Sequence, residues 1–212
     1  MSSTNAPPYA PYRNCAANDI YNLLFCDDTS ACGSGEHQRS VAWQTTLFAE
    51  RADEAALLAL ASDTAEEGRI RYLAYARLRA LAREVPGKVL LGVIVEVPLA
   101  DGLDALAAYA DGGVRYINHT EHISVFEGAA PLAPHVGALF AASEPVVARI
   151  GPWDGPRKPP PAADNVRLSF LVSCGLCFGE GPMSVMQRDA MAGPIIQRAT
   201  ALLQAVVAMT AK

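Results

Sequence analysis

Apolar and polar positions change period several times along this chain, and each change marks an element. The clearest stretch runs from Lys88 to Glu127, where four apolar runs are separated by three polar steps. The steps are Asp101-Gly102, Asp111-Gly112-Gly113 and Asn118-His119-Thr120-Glu121. Asp-Gly between apolar runs is a strong hairpin signal, because a type I′ turn needs positive φ, which Gly and Asp tolerate. The pattern predicts a four-strand meander. In its first strand Val89, Leu91, Val93, Val95 and Val97 share one face, with Leu90 and Ile94 on the other. Apolar residues on both faces predict a central strand covered on both sides. The third and fourth strands mix Arg115, Ser124 and Glu127 with Tyr116, Ile117, Ile123 and Val125, which predicts half exposure. Further on, Val166, Leu168, Phe170 and Val172 alternate with Arg167, Ser169 and Ser173, the period-two signature of a fifth strand.

Helical spacing fills most of the remainder. Asn18 or Asp19 can cap a short helix carrying Ile20, Leu23 and Leu24. Residues 44–61 read as one helix with Leu47, Ala55, Leu58 and Ala61 on a core face. Thr64-x-x-Glu67 is a capping-box pattern opening a helix that carries Ile70, Leu73, Ala74, Leu78 and Leu81 and stops at Pro86-Gly87. Residues 132–150 are helical in pattern, with Pro145 expected to kink or divide them and Ser143 offering a fresh N-cap. A last helix opens at Gly193-Pro194. Its Ile195, Ala199, Leu202, Leu203, Val206 and Val207 form a wide apolar arc, to be buried in this chain or against a partner.

Three stretches predict no regular structure. Residues 1–13 read as an extended, proline-punctuated arm, and Asp27–Gln38 as a polar loop. Residues 151–164 form a proline-rich loop whose three consecutive prolines favour polyproline II, serving as a stiff connector or as a ligand for aromatic grooves. The fold expected is α+β: residues 14–212 as a single domain, with an antiparallel sheet of about five strands (the meander plus one later strand) flanked by helices. No internal repeat or heptad run interrupts it.

Composition agrees with a folded chain. Of the 212 residues 51% are hydrophobic and 18% charged, which argues against a disordered protein. The net charge of −5 argues against non-specific nucleic-acid binding, which needs a basic face. The N-terminal stretch lacks a basic region followed by an apolar one, so it does not read as a secretory signal. No long uninterrupted apolar window predicts a membrane-spanning helix. Cysteine is odd in number: Cys15, Cys26, Cys32, Cys174 and Cys177. Without an export signal they read as reduced thiols, and the expected location is cytoplasmic.

Four groups carry candidate chemistry. Cys174-Gly-Leu-Cys177 has the spacing of a redox pair or of half a zinc site. Three residues apart on a continuous strand they would face opposite ways, so acting together requires a turn at Gly175. A zinc site would need Cys15, Cys26 or Cys32 as well. His119, His122 and Glu121 at a hairpin tip, with His135 beyond, could hold a metal or could simply face water. Arg71, Tyr75, Arg79 and Arg83 fall along one helical stripe that could grip an anion or an acidic partner, or could be an ordinary solvated face. Phe178-Gly-Glu-Gly-Pro182 reads as a tight strand-to-helix turn; as a phosphate cradle it lacks the P-loop Lys, and Glu180 would repel an anion. No complete catalytic constellation is present.

The runs GRIRYLAYARLR, LLGVIVEVPLADGLDALAAYADGGVRYIN and GEGPM resemble a family of uncharacterised bacterial proteins, over roughly residues 66–127 and 166–205. The resemblance implies a bacterial origin and no activity or cofactor. The order of elements also resembles profilin-like and roadblock-like modules, by analogy of fold only. The function expected is a non-catalytic cytosolic module that binds a protein partner or a small ligand, as a homodimer. Arg71, Tyr75, Arg79, Arg115 and Tyr116 are its candidate contact residues. The alternative is a thiol-dependent redox or metal-binding protein using Cys174 and Cys177, or His119 and His122.

Overall fold

The computed structural model describes residues 9–26 and 42–210. Residues 1–8 of the expected arm, the expected loop Asp27–Gln38 and Cys32 lie outside the described residues. The chain runs through helices α1 (Cys15–Phe25), α2 (Ala42–Phe48), α3 (Glu54–Ser62) and α4 (Gly68–Ala80), then strands β1 (Leu90–Leu99), β2 (Gly102–Tyr109), β3 (Val114–Ile117) and β4 (Ile123–Phe126). Helix α5 (Ala133–Arg149), strands β5 (Asn165–Val172) and β6 (Gly175–Pro182), and helices α6 (Met183–Met186) and α7 (Ala192–Thr210) follow. The class is α+β. One antiparallel sheet, in the order β4-β3-β2-β1-β5-β6, lies between two helical layers.

The expected meander is present, and all three of its turns fall at the polar steps. The first differs in detail. Leu99 pairs with Gly102, so the turn residues are Ala100 and Asp101, and neither has positive φ. Gly102 is instead demanded by proximity: a Cβ there would stand 2.7 Å from the carbonyl oxygen of His119.

Alternation along β1 breaks once. A register shift between Leu90 and Gly92 is a bulge, and a bulge resets which side chains share a face. Leu91 therefore joins Ile94 in the core beneath α1–α4, while Val93 and Val95 point to the opposite core. The sheet has six strands rather than about five. The sixth is β6, the stretch Gly175–Pro182, whose later part reads as a strand-to-helix turn in the sequence. Its glycines leave the strand pattern without a hydrophobic period, and its pairing with β5 alone makes it an edge.

Helix boundaries show four further corrections. Asn14, not Asn18 or Asp19, caps α1, its carboxamide accepting from Ala16 N; Asn18 instead bonds both N and O of Tyr12. The single helix expected over residues 44–61 is two, because Asp53 caps a new start by accepting from Ala55 and Ala56. The Thr64–Glu67 capping box does not form: α4 starts at Gly68, whose N–H donates to Asp111 Oδ1. Pro145 lies inside an undivided α5, and the Ser143 hydroxyl donates back to Leu139 O rather than capping a new helix.

The two cores differ in composition. Beneath α1–α4 the first core is aromatic, with Tyr21 and Phe25 packed edge-to-face and Tyr109 donating to Leu24 O. The second, beneath α5 and α7, is largely aliphatic: Val93, Val95, Leu106, Leu139, Val166, Leu168, Ile195 and Leu202. Helix α7 alone among the described helices has the length and apolar content to cross a membrane, yet Ile195, Leu202 and Val206 are completely buried against the sheet. Its outward side carries Pro194, Gln197, Arg198 and Gln204, and Val207 of the expected wide arc is also exposed, so only part of that arc is covered, and that by this chain.

Candidate functional site

Where α6 and α7 leave the sheet, the second core does not close. A cavity of about 210 Å³ remains between them. Its floor is Val95 and Val97 of β1, Leu106 of β2, Tyr116 of β3 and Val166 of β5. Its roof is Met183 of α6 and Ile196, Ala199 and Leu203 of α7. Gln187 and Thr200 stand at the rim, and both also line a shallower cleft between α6 and α7. The helices can approach this closely because residue 193 is glycine: a Cβ there would meet the carbonyl oxygen of Gln187 at 2.6 Å.

One charged residue lines this cavity, Asp104. It occupies a β2 position facing the second core, opposite Val97 in the register. Its carboxylate is held from three directions. Tyr116 Oη donates to Oδ2 at 3.0 Å, and the backbone N–H of His119 donates to Oδ1 at 2.7 Å. His119 Nδ1 lies 3.2 Å from the same Oδ1. The Asp104 side chain is 20% exposed, so it sits at the edge of the apolar space rather than deep within it. Burial, with the Asp104 charge and hydrogen bond adding to it, raises the Tyr116 phenol well above its ordinary pKa, so Tyr116 stays a donor. The close approach of His119 to Gly102 keeps the β3–β4 turn against the start of β2 and so fixes the His119 N–H on Asp104.

The other residues read as candidates from the sequence are dispersed. Arg71 is buried and donates from Nε to Ala61 O, joining α4 to the end of α3. Tyr75 is part of the first core. Arg79 donates to Ser173 O and lies 5.5 Å over the Tyr72 ring. Arg83 lies beyond α4 and pairs with Glu54 at the surface. Arg115, adjacent to Tyr116 on β3, points to the opposite face and pairs with Glu127 at 2.7 Å. Tyr116 alone of this group reaches the cavity.

Of the imidazoles, His119 contacts Asp104, His122 is exposed, and His135 lies in the first turn of α5. Glu121 accepts from the N–H groups of Arg13 and Asn14. Among the described residues no three metal-capable side chains converge.

Cys174 and Cys177 do come together. Val172 pairs with Gly175, so Ser173 and Cys174 form a two-residue hairpin turn. Gly175, at φ 136°, adopts a backbone conformation open to glycine. That turn puts both sulfurs on the second-core side. Burial and the neighbouring Cys174 thiol push the Cys177 thiol up to about 11. Cys26 belongs to the first core, across the sheet from this pair, and Cys15 is exposed.

A second buried polar group sits on the opposite face. Glu96 of β1 is wholly buried; its Oε1 accepts from Tyr21 Oη at 2.6 Å, and Arg167 Nη1 lies 3.6 Å from its Oε2. Arg167 also chelates Glu180 at 2.6 and 2.9 Å. Burial raises the Glu96 carboxyl above the ordinary range, against the lowering pull of the Tyr21 hydrogen bond and the Arg167 charge. From the proline-rich loop, Arg157 wedges among Tyr9, Tyr21 and Phe25, 4.8, 5.3 and 4.3 Å from their ring centres. Arg167, Phe178 and Glu180 also line an open, polar cleft of about 430 Å³ with Lys158, and that loop is sewn to α1 through Arg157 and Asn22.

No family model, curated protein or solved structure matches the chain. The geometry alone carries the functional argument. A mainly apolar pocket, open on one side, with one fixed carboxylate can bind and orient a small molecule. Asp104 was missed in the sequence, although one acid inside the otherwise apolar run from Leu103 to Tyr109 was the signal available.

Proposed function

We propose that this protein binds a small, mainly apolar molecule in the cavity between β1–β3 and α6–α7. The observation that supports the reading is the failure of an otherwise close-packed core to close at one place, under Ala199. Protein interiors leave few voids larger than a water molecule, and about 150 Å³ of apolar cavity suffices to hold benzene. A space of about 210 Å³ is therefore large enough for a fragment-sized ligand. The mainly polar outward side of α7, on which Val207 is the one large hydrophobic exposed among the described residues, favours this role over docking of a partner on that helix. Calorimetric titration with ethylbenzene, a neutral probe, tests it. Saturable binding is expected to the native chain and not to Ala199→Leu, which fills the space. Equal binding by both, or by neither, would refute the reading.

The alternative, a thiol-dependent redox role, draws on the contact between Cys174 and Cys177. One hydroperoxide would convert the two thiols to a disulfide, releasing water and an alcohol. Half-buried Cys174 would attack the hydroperoxide first, releasing the alcohol, and the Cys177 thiol would then displace water from the sulfenic acid, since Cys177 is a poor thiolate at neutral pH. Intact mass spectrometry after peroxide treatment is expected to show a loss of two hydrogens that Cys174→Ser abolishes. Persistence of both free thiols would exclude this role.

A further inference from the structure

We infer that the cavity's ligand carries a primary or secondary amine, held by Asp104, on an apolar body of about eight heavy atoms. This rests on the cavity being a binding site, as proposed above. The size follows from scaling a benzene-holding void of about 150 Å³ to the 210 Å³ found here.

The head group follows from counting acceptors. An ionised carboxylate offers about four lone-pair sites. Tyr116 Oη takes one on Oδ2, and the His119 N–H takes one on Oδ1. His119 Nδ1, when it carries the proton, takes the second on Oδ1. Oδ2 is left with one acceptor site. A ligand donor can fill it in place of water, and a charged donor makes the stronger, shorter bond.

Charge points the same way. Among the described residues, Asp104 is the only charged side chain lining the cavity, and none of the lining residues is basic. A carboxylate or phosphate would meet a like charge with no lysine or arginine among the lining residues to offset it, His119 being already engaged with Asp104. An ammonium would meet its counter-ion at the partly solvated edge, where desolvation of the cation is incomplete. A quaternary ammonium would have no N–H for Oδ2. The apolar body would lie along Val97, Leu106, Ile196 and Leu203.

Three probes sharing one ring and differing in head group test this: phenethylamine, ethylbenzene and 3-phenylpropionate, titrated into the full chain at neutral pH. Phenethylamine is expected to bind about tenfold more tightly than ethylbenzene, the increment of one charge-assisted contact, and 3-phenylpropionate not to bind. Asp104→Asn keeps an acceptor for the His119 N–H and removes the charge. It is expected to erase the amine preference while leaving ethylbenzene binding intact. If Asp104→Asn does not fold, the ranking of the three probes on the native chain still decides. Equal affinity for amine and hydrocarbon would overturn the amine assignment and leave the cavity reading standing. Preference for the carboxylate would overturn it too. Binding of none of the three would overturn the cavity reading and this inference with it.

Discussion

The two faces of the sheet solve the same packing problem differently. The face under α1–α4 is filled with rings and tied by charge: Tyr21, Phe25 and Tyr109 fill the volume, and Glu96, Arg167 and Arg157 fix them in place. The face under α5–α7 is built mainly of valine, leucine, isoleucine and alanine, with Phe170 and Tyr116 among them, and it stays open where α7 presents Ala199 over Val95 and Val97. A core locked by directional contacts can specify one arrangement and leave no room. An aliphatic core with a small residue at the right helical position leaves a space, and a lone carboxylate at its edge gives that space a chemical preference.

Removing a charge from the locked face should have the largest effect. Arg167→Met is expected to destabilise the fold by about 3–5 kcal/mol at neutral pH, because Glu96 is left buried without its partner. The pH dependence has a definite sign. A carboxyl whose pKa is raised on folding contributes stability that is complete below its ordinary, unfolded value and is lost as pH rises through the folded value. The Arg167→Met penalty should therefore shrink as pH falls toward the ordinary glutamate range. Urea denaturation at pH 7 and at pH 4 compares the two; a pH-independent penalty would mean that Glu96 is not the group responsible.

Tyr21→Phe comes next, at about 1–3 kcal/mol, since the Glu96 carboxylate loses its one strong donor in a dry site. Thermal denaturation is sufficient to see it. The sharpest contrast is a matched pair of alanine-to-leucine changes. Ala107→Leu, in the filled first core, is expected to cost about 1–3 kcal/mol through overpacking. Ala199→Leu, over the cavity, is expected to gain about 0.5–1 kcal/mol by filling it. Equal penalties at both positions would erase the distinction between the faces. The smallest effect is kinetic: in native protein Cys15 should react with a thiol reagent at pH 8 well before Cys177, which burial and Cys174 keep protonated. Equal rates would show that the β5–β6 hairpin opens readily.

How much of this was legible depended on whether a feature is local. The meander was readable because its turn chemistry and period-two runs are written in adjacent residues. The bulge at Leu90–Gly92 was not, because it is a property of pairing between β1 and β5. Strand β6 was hidden because an edge strand of glycines carries no hydrophobic alternation and takes its form from β5. The Thr64–Glu67 pattern had the right letters, but Asp111, 43 residues downstream of Gly68, supplies the acceptor that fixes the start of α4. The arginines of α4 looked like a surface stripe by spacing, yet Arg71 turns inward to a carbonyl of α3 and Arg79 to Ser173 O, while Arg167, a polar position of β5, turns to a buried acid. For the site, Tyr116 was noticed in the sequence and Asp104 was not. Their partnership joins β2 to β3 and opens onto a helix nearly a hundred residues further on, which no periodicity reports.

The central claim is that the second face holds a mainly apolar, ligand-sized space within its core, whereas the cleft on the first face, beside Arg167 and Glu180, is open and polar. Methyl-resolved NMR during titration with ethylbenzene tests it most directly. The account predicts saturable shifts for the methyl groups of Val95, Val97, Leu106, Ile196 and Leu203, with those of Leu24, Ile94 and Leu171 unmoved. Shifts spread over both faces, or no saturable shift at all, would contradict it.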